Sequence, residues 1–297
     1  MMAHEDRRWQ WGSNIILMLL SLGCIIPFLL LVISSLTDEQ SIIQNGYSFF
    51  PQEFSFAAYE YIWQQSSLIF NAYGITVFVT VFGTLSSLLI TSMLAYPLSR
   101  PDLPGGRFVA FLLFFALLFN GGLAPTYIIY TQVFHLKNTL AALIIPGLLM
   151  NGFSVMMMRG FFMTTVPSSV LESASIDGAK EFTIYRKIVL PLSLPILAVV
   201  GLLQGLMYWN DWFNGLIYLT DPKLYSLQTV MNQLMSNIQF LSSNSSVSSL
   251  ASGAMQDLPT EAFRMAIAVI SIAPIMIAYP FLQKYFVKGL ALGAVKG

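Results

Sequence analysis

Apolar residues in this chain gather into long stretches separated by short polar segments, and six stretches reach the roughly 20 residues that a helix needs to cross a hydrocarbon core about 30 Å thick. They run over Ile15 to Leu36, Phe70 to Leu98, Phe108 to Tyr130, Leu140 to Phe162, Val189 to Leu219 and Ala262 to Val287. Arg7 and Arg8 before the first give it a superficial likeness to a signal peptide. Its apolar run is longer than a signal core and no small-residue cleavage site follows, so it is expected to stay as the first span. The pattern predicts an all-α polytopic membrane protein with a short N-terminus over 1–14, a six-span domain over 15–287 and a tail over 288–297.

Composition agrees with a bilayer environment: 56% of residues are hydrophobic, 9% are charged, and the mean hydropathy is +0.70. Lys plus Arg equal Asp plus Glu at 14 each, so net charge gives no support for a nucleic-acid partner and the placement of charge carries the information. With the N-terminus inside, eleven of the 14 basic residues fall in cytoplasmic segments, and only Lys137, Lys223 and Arg264 fall outside. That bias predicts both termini in the cytoplasm. The single cysteine, Cys24, lies in an apolar run, has no internal disulfide partner, and is expected to be a buried structural thiol.

Two outer segments differ in character. Thr37 to Ile69 carries Phe49, Phe50, Phe54, Phe56, Tyr59, Tyr61 and Trp63 beside four carboxylates, too aromatic for a disordered linker, and is expected to pack on the outer surface. Thr220 to Glu261 contains the serine-rich run Ser242 to Gly253, which lacks the apolar content for a core and is expected to be a mobile loop. Asn244-Ser245-Ser246 matches a glycosylation acceptor, but chance explains it in so serine-rich a run.

The most informative polar island is Glu172 to Pro195, ESASIDGAKEFTIYRKIVLPLSLP. Pro167, Ser168 and Ser169 offer a helix start, with serine capping the free N–H groups and Glu172 near the positive end of the dipole. A short helix over Ser169 to Ile176 should follow, ended by Gly178, with a second helix over Lys180 to Leu190 leading into the fifth span. Pro191 and Pro195 fall at that re-entry, where they kink a membrane helix without preventing it. On composition alone an amphipathic interfacial helix would look similar.

The island's residue pattern resembles the cytoplasmic EAA loop of ABC-type import permeases: Glu172, Ser173, Ala174, then Asp177, Gly178, Ala179, then Ile188, Leu190 and Pro191. Ser173 stands where that family usually has alanine, a small-for-small departure. The resemblance implies that the loop over 167–190 fits a cleft on a cytoplasmic ATP-binding subunit and passes its closure to the spanning helices. The chain has no GxxxxGK[ST] phosphate loop, and His4 and His135 have no metal-ligand spacing. It is expected to hold no catalytic residue, no metal and no cofactor, with ATP chemistry supplied by a partner.

The C-terminal run FLQKYFVKGLALGAVKG is similar to the ending of the smaller maltose-permease-type subunit, which implies an ATPase contact for Lys288, Gly289, Gly293 and Gly297; a frayed terminus would look much the same. Phe119 to Pro146 and Tyr208 to Gln228 resemble carbohydrate-importer permeases, especially the LplC-like branch handling oligosaccharides or polysaccharide fragments. The resemblance therefore implies a type I importer permease in a bacterial cytoplasmic membrane. Its implied partners are a second homologous permease, two ATP-binding subunits, an extracytoplasmic solute-binding protein and a carbohydrate. Two rivals are the same architecture importing a peptide or amino acid, and a membrane enzyme or scaffold whose loop merely recruits a soluble partner.

Within the fifth span Trp209, Asn210, Asp211, Trp212 and Asn214 place two aromatic rings beside an acid and two amides, a set suited to a sugar and equally to an interfacial belt in which Asp211 braces a helix. Asn120, Gly121 and Gly122 interrupt the third span, where they would line a path or, slightly preferred, allow close helix packing. Met156, Met157 and Met158 read as core filler.

Overall fold

The computed structural model describes residues 2–64, 66–243 and 261–277. In chain order the helices are α1 (Met2–Ser35), α2 (Glu39–Asn45), α3 (Ala57–Gln64), α4 (Ser66–Ser99), α5 (Gly106–Leu118), α6 (Leu123–Val133), α7 (Ala141–Ile144), α8 (Gly152–Thr165), α9 (Ser168–Ile176), α10 (Glu181–Leu192), α11 (Leu194–Trp209), α12 (Phe213–Tyr218), α13 (Leu227–Ser243) and α14 (261–277). Among the described residues no strand forms; an isolated antiparallel bridge joins Thr37 to Phe54. The serine-rich run after Ser243 and the C-terminal tail with Lys288, Gly289, Gly293 and Gly297 lie outside the described residues.

The chain divides into two compact units, the first made of residues 1–67 and 233–275. Its Trp9–Ser35 segment is apolar enough to span and buries none of its most apolar window. Cys24 is accordingly exposed, not a core thiol. In hydrocarbon an apolar side chain gains nothing by moving from lipid to protein, so an apolar run does not by itself mean burial.

The Thr37 to Ile69 segment is folded, and its aromatic residues divide between exposed and engaged ones. Asp38 Oδ2 caps α2 by accepting from the N–H of Gln40 at 3.0 Å, and Ile42, Ala58 and Ile62 are buried. Phe50 is 90% exposed and Trp63 71%, whereas Tyr59 bonds Ser35 at 2.8 Å and Tyr61 meets Phe263 edge-on.

Glu39, at the start of α2, caps α14 across more than 200 residues of sequence. Its carboxylate accepts from the N–H of Glu261 at 2.9 Å and of Ala262 at 2.9 Å. Charge-assisted bonds at a helix start are worth about 1–2 kcal/mol. Glu39→Ala should lower the unfolding temperature of the detergent-solubilised protein by that equivalent, and Glu39→Gln, which keeps an acceptor oxygen, should lose less. Equal loss in both would show that the cap is not what Glu39 supplies.

The second unit covers residues 68–232 and 276–297. α4 runs unbroken, as the second expected span does, but the next three expected spans are interrupted. α5 and α6 are bent by 115° across residues 119–122, where Asn120 Oδ1 accepts from Gly122 N at 2.9 Å and Gly122 sits at φ +84°. The fourth stretch splits into α7 and α8 around Pro146 and Gly147, with Gly147 at φ +70° and Asn151 Oδ1 capping α8. The fifth is bent by 80° between α10 and α11 and broken again after Trp209.

By length and composition the described chain has two helices able to cross a membrane, or up to four if each bent pair is one span. Hydropathy reports where backbone is apolar; Gly and Pro decide where it stays helical. The expected sixth stretch begins in α14, and its remainder lies outside the described residues.

The core of this unit gathers α4, α5, α8, α9, α10 and α11 around residues such as Tyr96, Val155, Met158, Leu171, Val189 and Val200. Met158 is fully buried and Met157 packs against the same cluster, the filler role expected of them.

Candidate functional site

The polar island folds as a short helix closed by a left-handed turn. α9 starts one residue earlier than expected, with Pro167 in the capping position and no side chain capping it. The serine cap read from the sequence is not made. Ser173 Oγ instead donates back to the Ser169 carbonyl at 2.8 Å, so the hydroxyl that departs from the family's alanine is satisfied within the helix.

The far end explains the motif's spacing. α9 ends at Ile176, Asp177 follows, and Gly178 adopts φ +75°. Ala179 N donates to Ala174 O at 3.0 Å and Gly178 N to Ser175 O at 3.0 Å. Those two bonds make a Schellman closure, in which the residue four beyond Ala174 must be left-handed and is best glycine. Ala174 and Ala179, at the two ends of the longer bond, both pack on the apolar cluster.

Burial sorts the loop residues into two sets. Leu171 is buried, and Ala174, Ala179, Ile188 and Leu190 are partly buried against the cluster, so they hold the loop to the helices. Glu172, Ser173, Asp177, Gly178 and Pro191 are exposed. Ile176 is 85% exposed and Phe182 62%, two apolar side chains on the open side that the sequence reading did not single out. The available signal was an isoleucine directly before Asp-Gly, where the chain turns away from the core.

Beyond the turn, Lys180 precedes α10, whose middle turn Tyr185–Val189 is a π-turn, and the 80° bend falls at Ser193 between Leu190-Pro191 and Pro195. A cavity of about 660 Å³ opens beside α9, lined by residues that include Arg100, Asp102, Arg159, Glu172 and Leu171. There Arg100 Nε lies 3.2 Å from Asp102 Oδ1, and this bond holds the Asp102 carboxyl below the usual range. Arg159, read from sequence only as a cytoplasmic charge, donates Nε to the Leu98 carbonyl at 2.8 Å.

The second constellation sits where α11 ends. Trp209 and Asn214 are buried, Asn210 is exposed, and Trp212 is 40% exposed with its ring edge-on to Phe213. Asp211 Oδ1 accepts from the N–H of Asn214 at 3.2 Å, and Asn214 Nδ2 donates to Pro146 O at 3.1 Å. Ser226 Oγ donates to the Asp211 carbonyl at 3.2 Å. Asp211 and Asn214 therefore brace the start of α12, which leaves Asn210 and Trp212 as the accessible members of the set. Asp211 Oδ2 is buried without a hydrogen-bond partner.

Asn120 is exposed at the break between α5 and α6, and a Cβ built on Gly121 or Gly122 meets nothing within 4 Å. Among the described residues nothing packs closely on those glycines; Gly122 is favoured by its positive φ. Among the described residues no group of three or more His, Cys, Asp or Glu is placed to hold a metal ion.

Known proteins share this architecture over nearly its whole length. The polygalacturonan/rhamnogalacturonan transport system permease protein YtcP of Bacillus subtilis (strain 168) is 36% identical over 281 residues, covering 95% of this chain and 96% of the relative. Protein LplC of the same organism is 34% identical over 275 residues, covering 92% and 90%. A solved bacterial ABC transporter involved in the import of the acidic polysaccharide alginate superposes with a TM-score of 0.79 at 29% identity, covering 95% of this chain and 98% of that one. The fold is thus that of an ABC importer permease. Residues 1–292 match the family described as the binding-protein-dependent transport system inner membrane component, and the chain belongs to that family.

Proposed function

We propose that this chain is one of two permease subunits of an ATP-driven carbohydrate importer in a bacterial cytoplasmic membrane, forming half of the path for an oligosaccharide. Six spans with both termini in the cytoplasm complete the arrangement. The observation that carries the reading is the exposed Schellman turn of α9 in a chain that matches a transport family from residue 1 to 292. One ATP-binding subunit of a pair receives the loop through Glu172, Ser173, Asp177 and Gly178, with Ala174 and Ala179 seating it on the helices, Ile188, Leu190 and Pro191 setting the angle of re-entry and the tail at Lys288, Gly289, Gly293 and Gly297 adding a second contact. ATP-driven closure displaces α9, and the permease pair alternates between inward and outward openings to accept solute from a binding protein. The relatives named for polygalacturonan and alginate favour a sugar, and an acidic one, over a peptide.

The test is ATP hydrolysis by the whole complex in lipid vesicles with binding protein, with and without a panel of neutral and uronic-acid oligosaccharides. Stimulation by one saccharide is expected; stimulation by a peptide alone would move the chain to the non-sugar rival, and no flux of any solute would favour the scaffold. Orientation is checked by thiol labelling in a Cys24→Ser background, where cysteines placed at positions 4 and 296 should react only with reagent admitted to the cytoplasmic side.

Asn120, Asn210 and Trp212 form the solute-facing surface, with Trp209, Asp211 and Asn214 holding it in place. Trp212→Ala should reduce saccharide-stimulated hydrolysis by roughly three- to tenfold with assembly intact, the scale of one lost aromatic contact. Asp211→Ala should instead lower stability by about 1 kcal/mol through the lost bond to Asn214 N. Equal stimulation in Trp212→Ala would remove this face from the solute path.

A further inference from the structure

The cytoplasmic end of α4 is tied to the chain on both sides of α9. Ahead of α9, the Arg159 guanidinium on α8 takes up the Leu98 carbonyl, one of the last carbonyls that a helix leaves unpaired. Behind α9, the Tyr96 hydroxyl donates to Glu181 Oε2 at 2.7 Å, and Ser92 and Tyr185 share a buried hydroxyl bond of 2.7 Å. The Tyr96 and Tyr185 rings lie 5.6 Å apart, and Leu171 of α9 joins Ala95, Tyr96 and Leu98 in one apolar cluster. Apolar helix packing alone permits small sliding. A tyrosine hydroxyl aimed at a carboxylate, with a second charge-assisted bond on the opposite side of the loop, resists it.

We propose that Tyr96, Glu181 and Arg159 are positioning residues of a polar clasp that makes the end of α4 part of the rigid body carrying α9. Displacement of α9 is thereby delivered to α4, the longest helix of its unit. The inference rests on the reading of α9 as the ATPase-docking element. It follows from residues outside the loop motif: Tyr96 is more than 70 residues earlier in the chain, and Glu181 stands beyond the Schellman turn.

The test uses the whole complex in vesicles and measures solute imported per ATP together with retention of the ATPase subunit on purification. Tyr96→Phe and Glu181→Ala, each of which removes the bond, should each lower solute per ATP by about tenfold, the factor expected for one charge-assisted bond, with ATPase association unchanged. The double variant should be no worse than either single, because both remove the same bond. In a Cys24→Ser background, Tyr96→Cys with Glu181→Cys should regain coupling when a short bis-maleimide adds to both thiols and closes the pair, since a rigid body tolerates a permanent link. Wild-type solute per ATP in both single variants, or arrest of transport on cross-linking, would overturn the clasp. If no ATPase subunit binds the unaltered chain, the docking reading fails and the clasp with it; if it binds and drives import but the variants stay coupled, the clasp alone fails.

Discussion

Gly178→Val will abolish coupled transport while leaving the chain in the membrane. Gly178 stands at φ +75°, and a Cβ there meets nothing within 4 Å, so the cost of a side chain is backbone strain alone. For an L-residue that strain is about 1–2 kcal/mol, more for a β-branched one. Relieving it means rotating φ to negative values, which breaks the bonds from Gly178 N to Ser175 O and from Ala179 N to Ala174 O and redirects α10 relative to α9. Because space is not the obstacle, the series should follow tolerance of the left-handed region: Gly178→Asn near the parent, Gly178→Ala several-fold weaker, Gly178→Val inactive. Solute uptake and ATPase retention by the purified complex check it. Asparagine and valine failing alike would mean that the turn needs glycine for partner clearance, not for its φ.

The same turn shows how far the sequence could be read. The order of short helix, glycine, second helix and proline-marked re-entry was legible because each step rests on local rules: Gly178 for the turn, Pro191 and Pro195 for the bend. What was not legible depends on distant partners. The serine cap is lost because Ser168 is already the first helical residue, which leaves Pro167, with no side-chain acceptor, in the capping position. No local rule links Arg159 to Leu98 O or Tyr96 to Glu181, and only the fold brings them together.

In the apolar stretches the helix breaks were harder to see than the apolar character. Phe108 to Tyr130 and Leu140 to Phe162 are mostly apolar, yet Gly122 and Gly147 take positive φ and break the helix within each. The Trp209 to Asn214 cluster read equally as a sugar site and as a helix brace, and Asp211 and Asn214 make bonds at the start of α12, a role no spacing rule distinguishes from binding.

Gly83→Val should cost the protein its folded second unit. A Cβ at Gly83 would lie 2.6–2.8 Å from three atoms of the Tyr208 ring, closer than carbon atoms can approach. The ring cannot swing aside freely, because its hydroxyl donates to the Ile144 carbonyl at 2.9 Å in a fully buried setting. Overpacking of this kind costs about 1–3 kcal/mol for one added group, and valine adds three carbons. Gly74→Val on the same helix, where a Cβ meets nothing within 4 Å, should be tolerated and controls for helix propensity. Tyr208→Leu should partly rescue Gly83→Val, giving a favourable coupling in a double-mutant cycle read from unfolding temperatures in detergent. No rescue would mean that the valine is resisted by something other than the ring. Tyr208 directly precedes Trp209 at the end of α11, and α4 carries Gly83 in its middle and Tyr96 near its C-terminal end. A displacement delivered to α4 by the clasp therefore meets α11 through the Gly83–Tyr208 contact, one residue from the cluster proposed to face the solute.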